Sequence, residues 1–186
     1  MEISEWTRIF QNEGKGLLHG DNWTLMFDSN IVPESPEYRW EMYIRNTSAR
    51  SVFECPECLR GWPSNRVMVV FHMRLMNGAG TVKVRRLRQN CKNCYEAQMA
   101  DPVIASDNIN TLMKNLVKKI RIKCYHENLD QGNYNHPRFD VNSPHEPDHC
   151  EGCMTGILFE SLLQLDTKTG NYKVLIFKSL RVLCIH

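Results

Sequence analysis

Apolar residues alternate without a break at Val67, Val69, Phe71, Met73 and Leu75. A two-residue period marks a strand with one face buried. Asn77-Gly78 follows, a strong hairpin turn, and residues 81–87 return. Pairing across that turn predicts Met73 opposite Val82 and Phe71 opposite Val84 on one face. It predicts His72 opposite Lys83 and Val70 opposite Arg85 on the other. Arg86 breaks the alternation and marks a bulge or the strand's end. A second period, of 3.6 residues, runs through Ile109, Leu112, Met113, Leu116, Val117 and Ile120 and predicts an amphipathic helix over 107–123. Ser106 is placed to cap it. Asp107 stands at the positive end of its dipole, and Lys118, Lys119, Arg121 and Lys123 cluster at the negative end. A shorter helix is expected over 3–16, with Ser4 as cap, Trp6, Ile9 and Phe10 as its stripe, and Gly14 and Gly16 as its stop. Residues 22–27 read as a strand, 31–36 as a Pro-punctuated loop, and 38–44 as a strand or a helical turn. Residues 127–148, rich in Asn, Pro, Asp and His, read as a long loop. Two apolar segments, 158–165 and 174–185, flank a Thr169-Gly170-Asn171 turn.

The length of 186 residues and the hydrophobic content of 42% suffice for one compact domain, or one domain and an arm. The formal charge of +2 says little, but its distribution says more. Eight basic residues and no acidic one lie between Arg60 and Lys92, while acids collect between Glu127 and Glu151. No apolar run reaches the ~18 residues of a membrane span. The stretch 174–185 is too short and contains Lys178 and Arg181. The opening residues lack a basic segment followed by an apolar core, so a cytoplasmic, reducing environment is expected. The sequons at Asn22 and Asn46 are then unused.

The chemistry lies in three pairs: Cys55-Pro56-Glu57-Cys58, Cys91-Lys92-Asn93-Cys94 and Cys150-Glu151-Gly152-Cys153. Two intervening residues let both thiolates of a pair reach one ion at about 2.3 Å. The hairpin lies between the first two pairs and returns the second to the first, the logic of a zinc ribbon. Disulfides or thiol redox chemistry are the competing reading, disfavoured by the compartment and by the absence of a thioredoxin-like βαβ context. The third pair needs other ligands. His145 is the best third ligand. Cys124, at the helix end, is a candidate for the fourth, with His126 and His149 behind it. Two zinc ions are expected. His72 reads as a sheet-face histidine and Cys184 as a small buried hydrophobe.

His145-Glu146-Pro147-Asp148-His149 matches H-E-x-x-H, but that motif needs a helix to face both histidines one way. Pro144 and Pro147 bracket the His-Glu pair, so no protease is expected. Closed sulfur-rich sites leave no open metal position, and no catalytic residue is assigned. The returning strand carries Lys83, Arg85, Arg86 and Arg88, with Arg74 and Trp62 nearby. It reads either as a surface for RNA or an acidic segment, with charges for phosphate and rings for stacking, or as an ordinary solvated strand face.

These motifs resemble the receptor-transporting protein family and its 3CxxC-type zinc finger. The matching stretches are the Cys55/Cys58 pair with Trp62, Val70-Phe71-His72-Met73, residues 80–87 leading to Cys91/Cys94, Lys123-Cys124-Tyr125, and His145 through Cys153 to Gly156-Ile157. The resemblance implies an accessory protein that takes odorant- and taste-type G-protein-coupled receptors to the cell surface. It would act at the cytosolic face of the endoplasmic reticulum or plasma membrane. Some members are interferon-induced antiviral factors that bind RNA, which implies the alternative function. Members usually carry a C-terminal anchor, so membrane association is expected only through a partner or through an anchor missing from this chain. The expected fold is α+β: an antiparallel sheet with zinc-ribbon-like hairpins and a packed amphipathic helix. Residues 1–157 form the zinc-binding domain, and 158–186 an apolar segment packed on it.

Overall fold

A computed structural model describes residues 2–17, 19–33, 35–47, 51–64, 67–129 and 146–156. His145, Cys184, most of the expected loop and both C-terminal apolar segments lie outside the described residues.

The chain opens with α1 (Glu2–Gly14), followed by β1 (Asn22–Phe27), β2 (Glu41–Thr47), β3 (Ser51–Glu54) and β4 (Gly61–Ser64). The central hairpin is β5 (Val67–Met76) and β6 (Ala79–Arg86). Then come β7 (Val103–Ile104), α2 (Ser106–Cys124), a 3-10 turn (Pro147–His149) and α3 (Glu151–Met154). The hairpin register is the one the alternation predicts: Phe71 faces Val84, Met73 faces Val82, His72 faces Lys83 and Val70 faces Arg85. β6 ends at Arg86, where the alternation fails.

The larger sheet runs β1-β6-β5-β2. It is mixed rather than wholly antiparallel, because β1 lies parallel to β6. Trp23 stands opposite Gly80 in that pairing. A Cβ at Gly80 would fall 2.1 Å from Trp23 Cδ2, so only glycine lets the indole lie across the strand. A smaller sheet, β4-β3-β7, carries the first cysteine pair at its β3–β4 turn.

The large sheet separates two cores. Val67, Val69, Phe71, Met73, Val82 and Val84 meet α1 and α2 through Trp6, Phe10, Ile109, Met113, Leu116 and Ile120. Met68, Val70 and Leu87 face the other way, onto Ile31 and Cys150. All six apolar residues of the predicted helical stripe are buried. The expected cap differs: Ala105 occupies the N-cap and makes no side-chain capping bond. Ser106 Oγ instead donates to Glu5 Oε1 at 2.8 Å, tying α2 to α1. No helix among the described residues is long and apolar enough to cross a membrane.

Candidate metal centre

Each of the first two pairs sits on a tight turn. In the first, the Leu59 N–H donates to the Cys55 carbonyl at 2.9 Å, and the Cys55 N–H donates to the Arg60 carbonyl at 3.0 Å. Leu59 adopts φ 58°, the left-handed conformation that reverses the chain after Cys58. The second pair follows β6. Cys55 Sγ lies 3.8 Å from Cys94 Sγ, and Cys58 Sγ lies 3.9 Å from Cys91 Sγ. All four sulfurs fall within 4.8 Å of one another. A tetrahedron with Zn–S bonds of 2.3 Å has edges of about 3.8 Å, so the four thiols already span the ion's coordination shell.

The electrostatics point the same way. The Asn93 backbone N–H holds the Cys91 thiol down to about 7. A hydrogen bond with Cys58, then burial, pushes Cys94 up to about 12, and burial pushes Cys55 up. Four clustered thiols cannot all ionise by themselves, because each thiolate repels the next. A dication supplies the missing charge, and thiolate is the form zinc binds.

Cys55 and Cys91 are buried with Ala97 against Trp62. Trp62 stacks on Phe53 with centroids 5.6 Å apart, and its Nε1 donates to Gln89 Oε1 at 2.9 Å. Gln89 Nε2 donates to Ser64 Oγ at 2.9 Å, and its backbone bridges to both Ala100 and Cys150. Gln89 thus joins the regions of all three cysteine pairs. Its mid-chain polar character gave no sequence signal of that role.

The third pair has Cys153 on α3 and Cys150 at its N-cap, across the sheet from α2. Cys150 is buried in the Met68–Val70–Leu87 core. Gly152 packs so closely that an added Cβ would meet Leu87 Cδ1 and Met68 Sδ at 3.2 Å. Cys124 packs instead against the α1–α2 core, where burial pushes its thiol up to about 11. His126 lines the same cavity as Cys124. Cys124 and Cys150 thus belong to cores on opposite faces of the sheet. Among the described residues, only Cys55, Cys58, Cys91 and Cys94 gather three or more metal-ligating groups. His149 stays beside the third pair, its Nδ1 2.9 Å from Asn90 Oδ1. Glu146 is extended and pairs with Lys92 at 2.8 Å, so the H-E-x-x-H match is not on a helix here.

The cations of the basic strand, all partly exposed, each have a partner within the molecule. Arg85 Nη1 donates to the Ile31 carbonyl at 2.8 Å and Nη2 to Glu151 Oε1 at 2.7 Å. Arg88 Nη2 donates to the same Oε1 at 3.0 Å, and its backbone N–H to Oε2 at 2.7 Å. Arg86 Nη1 donates to the Pro102 carbonyl at 3.1 Å. Lys83 pairs with Asp28 at 3.2 Å. Arg74 lies over the Trp40 ring, and Trp62 is stacked on Phe53. Four phosphate contacts from this strand would have to break those bonds.

A family model described as a zinc-binding domain, the 3CxxC zinc ribbon, matches residues 48–156, more than half of the chain. The chain is 35% identical to mouse Receptor-transporting protein 3 over 164 residues, which is 83% of this chain and 33% of that protein. It is 29% identical to human Receptor-transporting protein 1 over 174 residues, 90% of this chain and 66% of that protein. It is 30% identical to mouse Receptor-transporting protein 2 over 173 residues, 87% of this chain and 75% of that protein. The chain thus spans from a third to three quarters of these relatives' lengths. No solved structure matches. With a zinc-binding model laid over all three cysteine pairs and similarity to three such relatives across most of its length, this chain belongs to the receptor-transporting protein family.

Proposed function

We propose that the chain is a non-catalytic, zinc-stabilised accessory protein that binds cytoplasmic segments of odorant- or taste-type G-protein-coupled receptors and promotes their delivery to the cell surface. It works at the cytosolic face of the endoplasmic reticulum or plasma membrane. The observation that carries this reading is the similarity to mouse Receptor-transporting protein 2, which covers three quarters of that relative. The four-sulfur cluster supports zinc as the element that fixes the partner-facing surface. The test is surface labelling of co-expressed odorant and taste receptors in intact cells. A gain in surface receptor is expected. No gain across a receptor panel, even with the chain fused to a C-terminal membrane anchor, overturns the reading.

Two zinc ions per chain belong to the same proposal. The first takes Cys55, Cys58, Cys91 and Cys94. The second takes Cys150 and Cys153 with His145, and His149 is favoured over Cys124 and His126 as its fourth ligand. His149 Nδ1 faces Asn90 Oδ1, the arrangement in which an acceptor fixes the tautomer and leaves Nε2 for a metal. Elemental analysis of the purified chain is expected to find two ions, and a value of one overturns the second site.

A further inference from the structure

Among the described residues, His72 is the one histidine the fold buries, 3% exposed in the middle of β5. Its ring is only half satisfied. One nitrogen bonds the Pro33 backbone, and a proline offers only its carbonyl there, so that nitrogen carries a hydrogen. Nε2 is buried and meets no hydrogen-bond partner. The bonded nitrogen is therefore Nδ1, and the neutral ring keeps a bare lone pair at Nε2. Protonation would put an N–H at Nε2 with nothing to accept it. A buried, charged and unpaired donor is costly.

What the ring holds is the connection between β1 and β2. Within the sheet His72 stands opposite Lys83 on β6 and the uncharged Met42 on β2. From the connection, Pro33 bonds the ring, and the carboxylates of Asp28 and Glu37 act on it through space. Arg74, two residues along β5, and Arg85, two residues along β6, share the face of His72 and Lys83. Both also meet the connection. Arg74 lies 4.4 Å and Lys83 Nζ 5.1 Å from the centre of the Trp40 ring. Arg85 Nη1 donates to the Ile31 carbonyl at 2.8 Å. The sheet thus grips two carbonyls of the connection, Ile31 through Arg85 and Pro33 through His72, over the buried side chains of Ile31 and Trp40. Of the nearby charges, Lys83 is paired with Asp28 and Arg85 with Glu151. A proton on His72 adds a further cation directly opposite Lys83.

We propose that His72 is a proton-operated latch: the neutral ring holds the β1–β2 connection on the sheet, and protonation lets it lift. Burial lowers the ring's pKa below its ordinary 6.5 and Lys83 adds to this, against the Pro33 bond and the Glu37 and Asp28 carboxylates. The closed state therefore binds the proton more weakly than the open state, in which the ring meets water. The latch contributes fully above about pH 6.5 and weakens as pH falls through that value. One unit lower, at about pH 5.5, the open population rises by up to about tenfold. Lifting takes Ile31 off Met68, Val70 and Leu87, the core that also holds Cys150. The window lies above the range in which Glu151 titrates. The latch goes beyond the trafficking reading and does not depend on it, since it is measured without any receptor.

The experiment follows hydrogen exchange by NMR in the zinc-loaded full chain from about pH 7.5 to about pH 5.5, each rate divided by its intrinsic value at that pH. Two groups report on the connection. The Asp28 amide donates to the Val84 carbonyl at 2.9 Å, and the Trp40 indole N–H is buried without a partner. Protection of both should fall by up to about tenfold across this range while the β5–β6 amides keep theirs. His72→Asn keeps a donor near the Nδ1 position for the Pro33 carbonyl and cannot titrate, so it should abolish the pH dependence. The wild-type His72 ring signals should titrate below about 6.5, and this measurement decides the matter if the variant does not fold. A ring that titrates at or above that value overturns the latch. So does protection of Asp28 and Trp40 that ignores pH, or the same loss in folded His72→Asn. Parallel loss of β5–β6 protection, or zinc release in step with the change, also overturns it, because the event is then unfolding and not a local opening.

Discussion

Arg85 Nη2 donates to Glu151 Oε1 across 2.7 Å, joining the end of the central hairpin to the residue that follows Cys150. Arg88 adds a second guanidinium and its own backbone N–H to the same carboxylate. The Glu151 N–H returns a bond to the Arg88 carbonyl at 3.0 Å. The third cysteine pair is thereby fastened to β6 just before the second pair begins. This clamp engages two cations of the basic segment, Arg85 and Arg88, within the molecule.

The clamp makes stability depend on pH. Burial raises the Glu151 pKa, but hydrogen bonds from Arg88 and Arg85 outweigh it and hold the group below its ordinary 4.5. A depressed carboxylate contributes stability that is present above its unfolded value and lost as pH falls through its folded value. Thermal midpoints should therefore hold down to about pH 4.5 and fall below it, on this group's account. Glu151→Gln should flatten that acid limb. At neutral pH it should cost about 3 kcal/mol, because it strands two partly buried guanidiniums. Denaturant melts of the variant across pH 3–7 check both statements.

Removing metal should unfold the domain. The apparent binding energy of structural zinc, about 10–16 kcal/mol, equals or exceeds a domain's whole stability. Cys55→Ser or Cys91→Ser should release the first ion and abolish the cooperative thermal transition. Circular dichroism before and after chelation checks this. An unchanged spectrum after stripping a zinc-loaded sample would overturn the structural role of the metal.

The hairpin was legible because two local signals agreed: a strict two-residue period and an Asn-Gly turn that fixes register. The α2 stripe was legible for the same reason, as every member of its period is buried. The cysteine spacing told which thiols could share an ion because a two-residue gap constrains geometry directly. What stayed hidden depends on contacts distant in sequence. Nothing near Arg85 announces a partner 66 residues away. The strands β3, β4 and β7, of four, four and two residues, are too short to display a period. Cys124 reads as a candidate ligand because it ends a helix with His126 close behind it. Only the sheet's position shows that it and Cys150 lie on opposite sides.

Gly80→Ala should be severely destabilising. The added Cβ would lie 2.1–2.5 Å from three atoms of the Trp23 ring, which is 8% exposed and packed in the main core. The indole is also anchored, its Nε1 donating to Tyr125 Oη at 2.9 Å and that hydroxyl to Asp21 Oδ2 at 2.7 Å. It cannot swing away without losing its bond to Tyr125. Overpacking of this kind costs about 1–3 kcal/mol, and here the upper end or more is expected. Urea melts measure the loss, and Trp23→Leu introduced with Gly80→Ala should recover part of it by making room.

The metal stoichiometry tests which residues complete the proposed second site. If Cys124 completed the second site, Cys124→Ser would release one ion, as Cys150→Ser does. The geometry predicts a different pattern. Cys124 belongs to the α1–α2 core and Cys150 to the opposite one. Cys124→Ser should therefore keep both ions and lose only the small transfer energy of a half-buried thiol, about 1 kcal/mol. Cys150→Ser and Cys153→Ser should each lose one ion and keep the other, because the first four sulfurs close their own tetrahedron. His145→Ala should weaken the same ion without touching the first. Native mass spectrometry resolves zero, one and two zincs per chain and reads all four variants directly. Loss of one zinc in Cys124→Ser would return Cys124 to the coordination sphere and require α2 and α3 to meet around the sheet edge.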